Sequence, residues 1–176
     1  MSVTRTHIHE CIQRNPGIHF NEISRRLDIA TGQTQYHLRK LHRRDQIERE
    51  EICGRTHFYP PTYTEWERGL IALLRRETSR EIIAFLLKHD TSQPEEIADQ
   101  LDIARSTVEW HLSNLLAYDI ATKRTTSPGD NGDGCRVVVE LTDRSAVYRQ
   151  LREIEPGFTD RLVDRFTRLA DELLAD

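Results

Sequence analysis

At 176 residues, with 37% hydrophobic and 31% charged side chains, the chain is too apolar for a disordered polymer and too charged for a membrane-embedded one. That length holds one mid-sized domain or two small ones and excludes a large multidomain enzyme. The formal net charge of −4 hides an asymmetry, since residues 1 to 60 sum to +3 and residues 61 to 176 to −7, a pattern that points to divided labour along the chain.

A first helix is predicted from about Arg5 to Arg14 and is stopped by Asn15, Pro16 and Gly17, because proline and glycine break the helical period. Asn21 then offers an N-cap for a short second helix. Ile23 and Leu27 fall on one face of that helix, and Leu38 and Leu41 on one face of a longer third, so the four predict a small shared core. Residues 46 to 52 and 55 to 59 read as a β-hairpin turning at Cys53-Gly54, closed by Pro60 and Pro61. Trp66, Leu70, Ile71, Leu73 and Leu74 mark a connecting helix, and Ile82, Ile83, Phe85, Leu86 and Leu87 another. A capping box at Ser92 to Glu95 opens the next short helix. A second hairpin pairs Ala121 to Thr126 with Arg136 to Leu141 around a long loop, residues 127 to 134. Leu162, Phe166, Leu169 and Leu173, spaced 4, 3 and 4 apart, make an amphipathic C-terminal helix.

These elements occur twice. Residues 22 to 45 laid over 96 to 119, an offset of 74, give ten identities in 24 positions. Both segments read as a short helix, a turn and a longer helix, so one plan has been used two times.

Helix, helix-turn-helix and β-hairpin in that order resemble a winged helix. Ser106, Thr107, Val108, Glu109, Trp110, His111 and Leu112 look like the recognition-helix opening of MarR-like and ArsR-like regulators. Asn15 to Ile23 followed by Tyr36 to Leu41 is similar to archaeal predicted transcriptional regulators with two winged helix-turn-helix domains. The 22 arginines against three lysines are a bias associated with haloarchaeal proteins. The resemblance covers about residues 5 to 142. It implies a mainly α fold with small β-wings: a first winged helix-turn-helix at 1 to 62, a second with its connecting helix at 63 to 142, and a C-terminal helical segment at 143 to 176 that dimerises. The metal-sensing cysteine pair of ArsR-like proteins is absent.

Charge then assigns the roles. Residues 21 to 44 carry a net +4 and the aligned residues 95 to 118 a net −4. Helix-turn-helix modules neutralise phosphates with Arg and Lys while the second helix presents polar groups to base edges, so the first copy is the expected reader of double-stranded DNA. Thr31, Gln33, Gln35, Tyr36 and Arg39 are assigned to base edges, since Gln pairs bidentately with adenine and Arg with guanine. Arg25, Arg26, Lys40, Arg43 and Arg44 are assigned to phosphates, and Arg55 and His57 of the wing to the flanking groove. The acidic second copy is expected to dock or dimerise, with Leu162, Phe166, Leu169 and Leu173 as the seam of a homodimer.

Other chemistry finds little support. The eight histidines include no i, i+4 pair, and Cys11, Cys53 and Cys135 are widely spaced, so no metal site and no disulfide framework are expected. Cys53 sits at the wing tip, where oxidation could disturb a DNA contact, yet nothing in the sequence lowers its pKa. There is no Gly-rich phosphate loop, GxSxG or HExxH, so neither an enzyme nor a cofactor is expected. No apolar run approaches the roughly 20 residues of a membrane span and no signal-peptide core opens the chain, so the expected location is the cytoplasm. Two rivals to a sequence-specific regulator stay open: a protein-interaction scaffold resembling chromosome-segregation adaptors, and an accessory factor that binds promoters without preference. Operator and effector are not specified by the sequence.

Overall fold

The computed structural model describes residues 3 to 126 and 136 to 154. Contacts divide the chain into two compact units between Arg75 and Arg76. The first unit runs α1 (Val3–Arg14), β1 (Ile18–His19), α2 (Phe20–Leu27), α3 (Thr31–His42), β2 (Glu48–Ile52), β3 (Arg55–Tyr59) and α4 (Glu65–Leu74). The second runs α5 (Glu77–Lys88), α6 (Pro94–Leu101), α7 (Arg105–Ala117), β4 (Ala121–Thr126), β5 (Arg136–Leu141) and α8 (Arg144–Ile154). α5, α6 and α7 each begin 74 residues after α1, α2 and α3, so the sequence repeat is a structural one.

In α3 the buried side chains are Thr34, His37, Leu38 and Leu41. In α7 they are Val108, His111, Leu112 and Leu115, the same four positions. Spacings of 3, 1 and 3 make one stripe on a 3.6-residue helix and leave every other side free. In the first unit Leu38 and Leu41 of this stripe pack with Ile8, Cys11, Ile12, Ile18, Ile23, Ile47 and Phe58 into one core. Each fully buried aliphatic side chain there contributes about 1.5–3 kcal/mol.

The turn inside each helix-turn-helix is set by an aspartate. Asp28 and Asp102 both cap their helices in the left-handed region, at φ 51° and ψ 47°. Few non-glycine residues tolerate that conformation, and aspartate is one of them. Asp45 and Asp119, which follow α3 and α7, are matched too, at φ 53° and 52°. Two of the ten identities of the repeat thus sit where the backbone is most demanding.

The first hairpin closes through Cys53 and Gly54, both at positive φ, the signature of a two-residue type I′ turn. The second pairs β4 with β5 over the predicted residues, from Ala121 with Leu141 to Thr126 with Arg136. Its loop, including Asp130 and Asp133, lies outside the described residues.

Four features differ from the sequence reading. β3 is the central strand of a three-stranded sheet, β1-β3-β2, because Ile18 and His19 pair with Phe58 and His57. In the second unit the same position shrinks to a bridge between Ser92 and Val139. Asn21 is not the cap of α2: the helix starts at Phe20 with His19 as N-cap and no side-chain cap bond, since the entry is fixed by β1 instead. The box that opens α6 is centred on Gln93 and Glu96 rather than Ser92 and Glu95, with Gln93 N–H donating to Glu96 Oε2 at 2.8 Å and Ser92 Oγ to the same oxygen at 2.6 Å.

The fourth concerns α4, which sits in the first unit rather than in the second. Tyr59 Oη donates to the Arg68 carbonyl at 3.0 Å, Arg68 pairs with Glu50 at 2.5 Å, and Arg75 Nε donates to the Pro16 carbonyl at 2.9 Å. Gly17 is built into the same contact. It lies at φ 74°, and a Cβ there would stand 2.6 Å from Ile71. Thr64 and Glu67 form a capping box at the start of α4 that the sequence reading missed. The proposed seam residues Leu162, Phe166, Leu169 and Leu173 lie outside the described residues.

Candidate nucleic-acid interface

The outward side of α3 is set by the burial of the other side. With Thr34, His37, Leu38 and Leu41 facing the core, Thr31, Gln33, Gln35, Tyr36 and Arg39 are all exposed. All five residues assigned to base edges are therefore accessible, with Gln35, Tyr36 and Arg39 opposite the buried stripe and Thr31 and Gln33 towards its two margins. Tyr36 is half exposed, and Lys40 Nζ lies 4.5 Å from its ring centroid, so cation and aromatic are already associated. The Lys40 ammonium, through a hydrogen bond and its charge, draws the Tyr36 hydroxyl pKa below its ordinary value. Arg39 Nε lies 3.4 Å from the Gln35 carbonyl one turn back.

The assigned phosphate residues differ among themselves. Arg25, Arg43 and Arg44 are exposed and Lys40 half-buried, and none makes an ion pair among the described residues. Arg26 is committed elsewhere: it pairs with Glu22 at 2.7 Å and donates to Asn15 Oδ1 at 2.8 Å. A phosphate would have to compete with that carboxylate. On the wing, Arg55 is exposed and, with Arg25, lines a groove of about 580 Å³ together with His19, Phe20, Asn21, Glu22 and Thr56.

His57 is a correction. It is 1% exposed, its ring centroid lies 4.1 Å from that of His19, and Nδ1–H donates to the Gly17 carbonyl at 2.8 Å. Residues i and i+2 of a strand share a face, so Arg55 and His57 do point the same way. β1 lies beside β3 at His57 and ends before Arg55, so on that face the His57 ring packs between those of His19 and Tyr59 while Arg55 has no such neighbour on β1. His57 is a core residue of the wing's base and does not reach a groove.

The second unit presents the same backbone with its charges cancelled or reversed. Lys123 of β4 pairs with Glu109 of α7 at 2.8 Å, and Arg105 pairs with Glu95 and Arg124 with Glu140. Asp99 and Asp102 stand exposed beside them. Trp110 occupies the place of Tyr36, 46% exposed, with the Arg76 guanidinium 5.4 Å from its ring centroid. His111, the counterpart of His37, is hydrogen-bonded to Ser79 Oγ at 2.7 Å, and burial lowers its pKa.

Among the described residues no group of three His, Cys, Asp or Glu could hold a metal ion, and no helix is long and apolar enough to cross a membrane. Cys11 is buried and burial raises its thiol pKa, so it behaves as a small apolar residue.

The class defined by this fold and this surface is a protein with tandem helix-turn-helix domains, each carrying a β-wing. Comparison with known proteins agrees domain by domain. Residues 2–71 match the model of an N-terminal HTH domain, and residues 75–120 match a winged helix-turn-helix DNA-binding domain. Neither match names the MarR-like or ArsR-like subtype. An uncharacterized HTH-type transcriptional regulator of the archaeon Methanocaldococcus jannaschii is 30% identical over 112 residues, which are 64% of this chain and 28% of that protein. The chain thus spans under a third of the length of that relative. A possible transcriptional regulator from Methanosarcina mazei Go1 overlaps 69% of this chain and 96% of its own at 13% identity, with a TM-score of 0.36, too loose a likeness to add to the fold.

Proposed function

We propose that the chain is a sequence-specific, double-stranded DNA-binding transcriptional regulator that reads DNA through its first unit and assembles as a homodimer. The observation that carries this reading is the contrast between two copies of one scaffold. The exposed face of α3 offers Gln33, Gln35, Tyr36 and Arg39 beside arginines that no carboxylate neutralises, while the equivalent region of the second unit is acidic and ion-paired within itself. A basic, hydrogen-bonding helix inside a helix-turn-helix suits the major groove; an acidic one repels phosphates. Thr31, Gln33, Gln35, Tyr36 and Arg39 read bases, and Arg25, Lys40, Arg43, Arg44 and Arg55 hold the backbone. Arg26 contributes only if it leaves Glu22. In a homodimer the two reading helices lie about 34 Å apart, or a multiple of that, on a pseudo-palindrome. The domain division that goes with this reading keeps α4 with the reader, and the C-terminal segment beyond α8 supplies the seam.

Selection from random duplex DNA tests it, with wild type beside a variant carrying R39E, K40E and R43E. Enrichment of a motif that the variant does not enrich is the expected result. Absence of enrichment at every salt concentration defeats the proposal and leaves the protein-interaction scaffold, which the exposed Trp110 on an acidic unit would then favour.

A further inference from the structure

The repeat supplies an internal control for one buried cluster beneath α3. In the second unit the first turn of α5 places Ser79 against His111, and the two are hydrogen-bonded at 2.7 Å. The offset of 74 maps Ser79 onto Arg5 and His111 onto His37. In the first unit the satisfied pair is therefore replaced by an arginine and a histidine, each only 8% exposed. Arg5 Nε and His37 Nδ1 have no hydrogen-bond partner among the described residues, and Arg5 has no ion pair there. A guanidinium taken out of water without a carboxylate is costly, and burial beside an unsatisfied imidazole adds to that cost. Such a group calls for an acceptor that the described residues do not supply.

Two further residues show where that acceptor enters. Arg5 acts electrostatically on both His37 and the exposed Tyr36, and Lys40 acts on the same two. Tyr36 and His37 meet edge to face at 5.2 Å between centroids. The cluster thus runs from the interior out to the face of α3 proposed to meet DNA. We propose that Arg5, His37 and Lys40 form a seat for one phosphate of the DNA backbone, with Arg5 reaching it from α1, outside the helix-turn-helix. This rests on the DNA reading proposed above and extends it to two buried residues, one of which, Arg5, lies outside the helix-turn-helix. Arg is suited to the role because its planar fork meets two phosphate oxygens at once.

The test is the salt dependence of binding by the full chain to a duplex recovered in the selection, for wild type, R5M and R5K. R5M is expected to lower the slope of log K against log salt by about 0.9, the value for one phosphate contact, and to weaken all duplexes alike. R5K is expected to keep the slope. The melting temperature of the free R5M protein should not fall, since an unpaired buried charge has been removed. An unchanged slope in R5M overturns the seat, as does a lowered melting temperature with the slope intact, which would mark Arg5 as packing. Should R5M fail to fold, the wild type decides. His37, held below its ordinary pKa by burial and by Arg5 and Lys40, with Tyr36 the other titratable group beside it, takes up a proton when a phosphate arrives. Affinity should then rise as pH falls from about 7.5 to about 6, and less so in H37Q. Equal pH dependence in the two proteins overturns the seat. No DNA binding by wild type defeats the DNA reading and the seat together; binding by wild type with an unchanged R5M slope defeats the seat alone.

Discussion

The two units share their skeleton and differ in nearly everything exposed. α1 and α5, α2 and α6, α3 and α7 begin at one fixed offset, bury the same four positions of the third helix, and turn through left-handed aspartates at matched sites. Against that identity, the helix-turn-helix regions differ by eight charges. A fold constrains the stripe that packs and the residues with special backbone angles; the remainder of each helix is free to change partner. The first unit carries unneutralised arginines around its third helix, whereas in the second Arg105, Lys123 and Arg124 are each paired with an acid of the same unit.

The comparison is broken most severely by charge reversal. The R39E, K40E and R43E variant should lose about a thousandfold or more in affinity for the selected duplex, the order that separates specific from non-specific binding. E95Q, D99N and E109Q in the second unit should leave affinity within about threefold. Fluorescence anisotropy at fixed salt measures both, and equal losses would dissolve the division of labour.

Backbone chemistry gives the next contrast. Gly17→Ala places a Cβ against Ile71 at φ 74°, and should cost about 1–3 kcal/mol in denaturant unfolding. The matching residue is Thr91, exposed and outside the left-handed region, where alanine should change stability by less than about 0.5 kcal/mol. Confined to a single base pair, Arg39→Ala should relax preference there by about 1–3 kcal/mol, while Arg43→Ala weakens all sequences together. Binding to a panel of single-substitution duplexes separates those two patterns.

Acid should destabilise both units. His19, His37 and His111 each have pKa values lowered in the folded state, chiefly by burial. The unfolded chain therefore binds protons that the folded one refuses, and stability present above about pH 6.5 is lost progressively as pH falls below that. Melting temperatures at pH 7.5 and pH 5.5 should differ in that direction, and a melting temperature that rises toward acid would contradict the burial of these rings.

Much of the skeleton was legible because repetition doubles a weak signal. Glu22 to Ala30 and Glu96 to Ala104 share six of nine residues, and those include Asp28 and Asp102, whose left-handed caps fix the turn. The second hairpin was legible to the residue, since Ala121 to Thr126 and Arg136 to Leu141 flank an unmistakable turn sequence. Isolated short pairings were not. β1 is two residues long, too brief for any period, yet it makes β3 central and buries His57. The helix boundary at Phe20 was hidden for the same reason. Exposed residues of α3 could be sorted from its period alone, but the state of each cation could not: Arg25 and Arg26 are neighbours in sequence, and only the second is ion-paired with Glu22. The cluster at Arg5 was invisible because an arginine in a first helical turn reads as surface until its counterpart, Ser79, shows that the position is inside.

The matched aspartate turns carry a practical corollary. Because Asp28 and Asp102 adopt the same dihedral angles, the angle at which the third helix leaves the second is a property of the turn and is independent of what that helix displays. Reading specificity is therefore transplantable. Grafting the outward residues of α3 onto α7, with the buried stripe untouched, should change what the second helix binds and leave the direction in which it points unaltered.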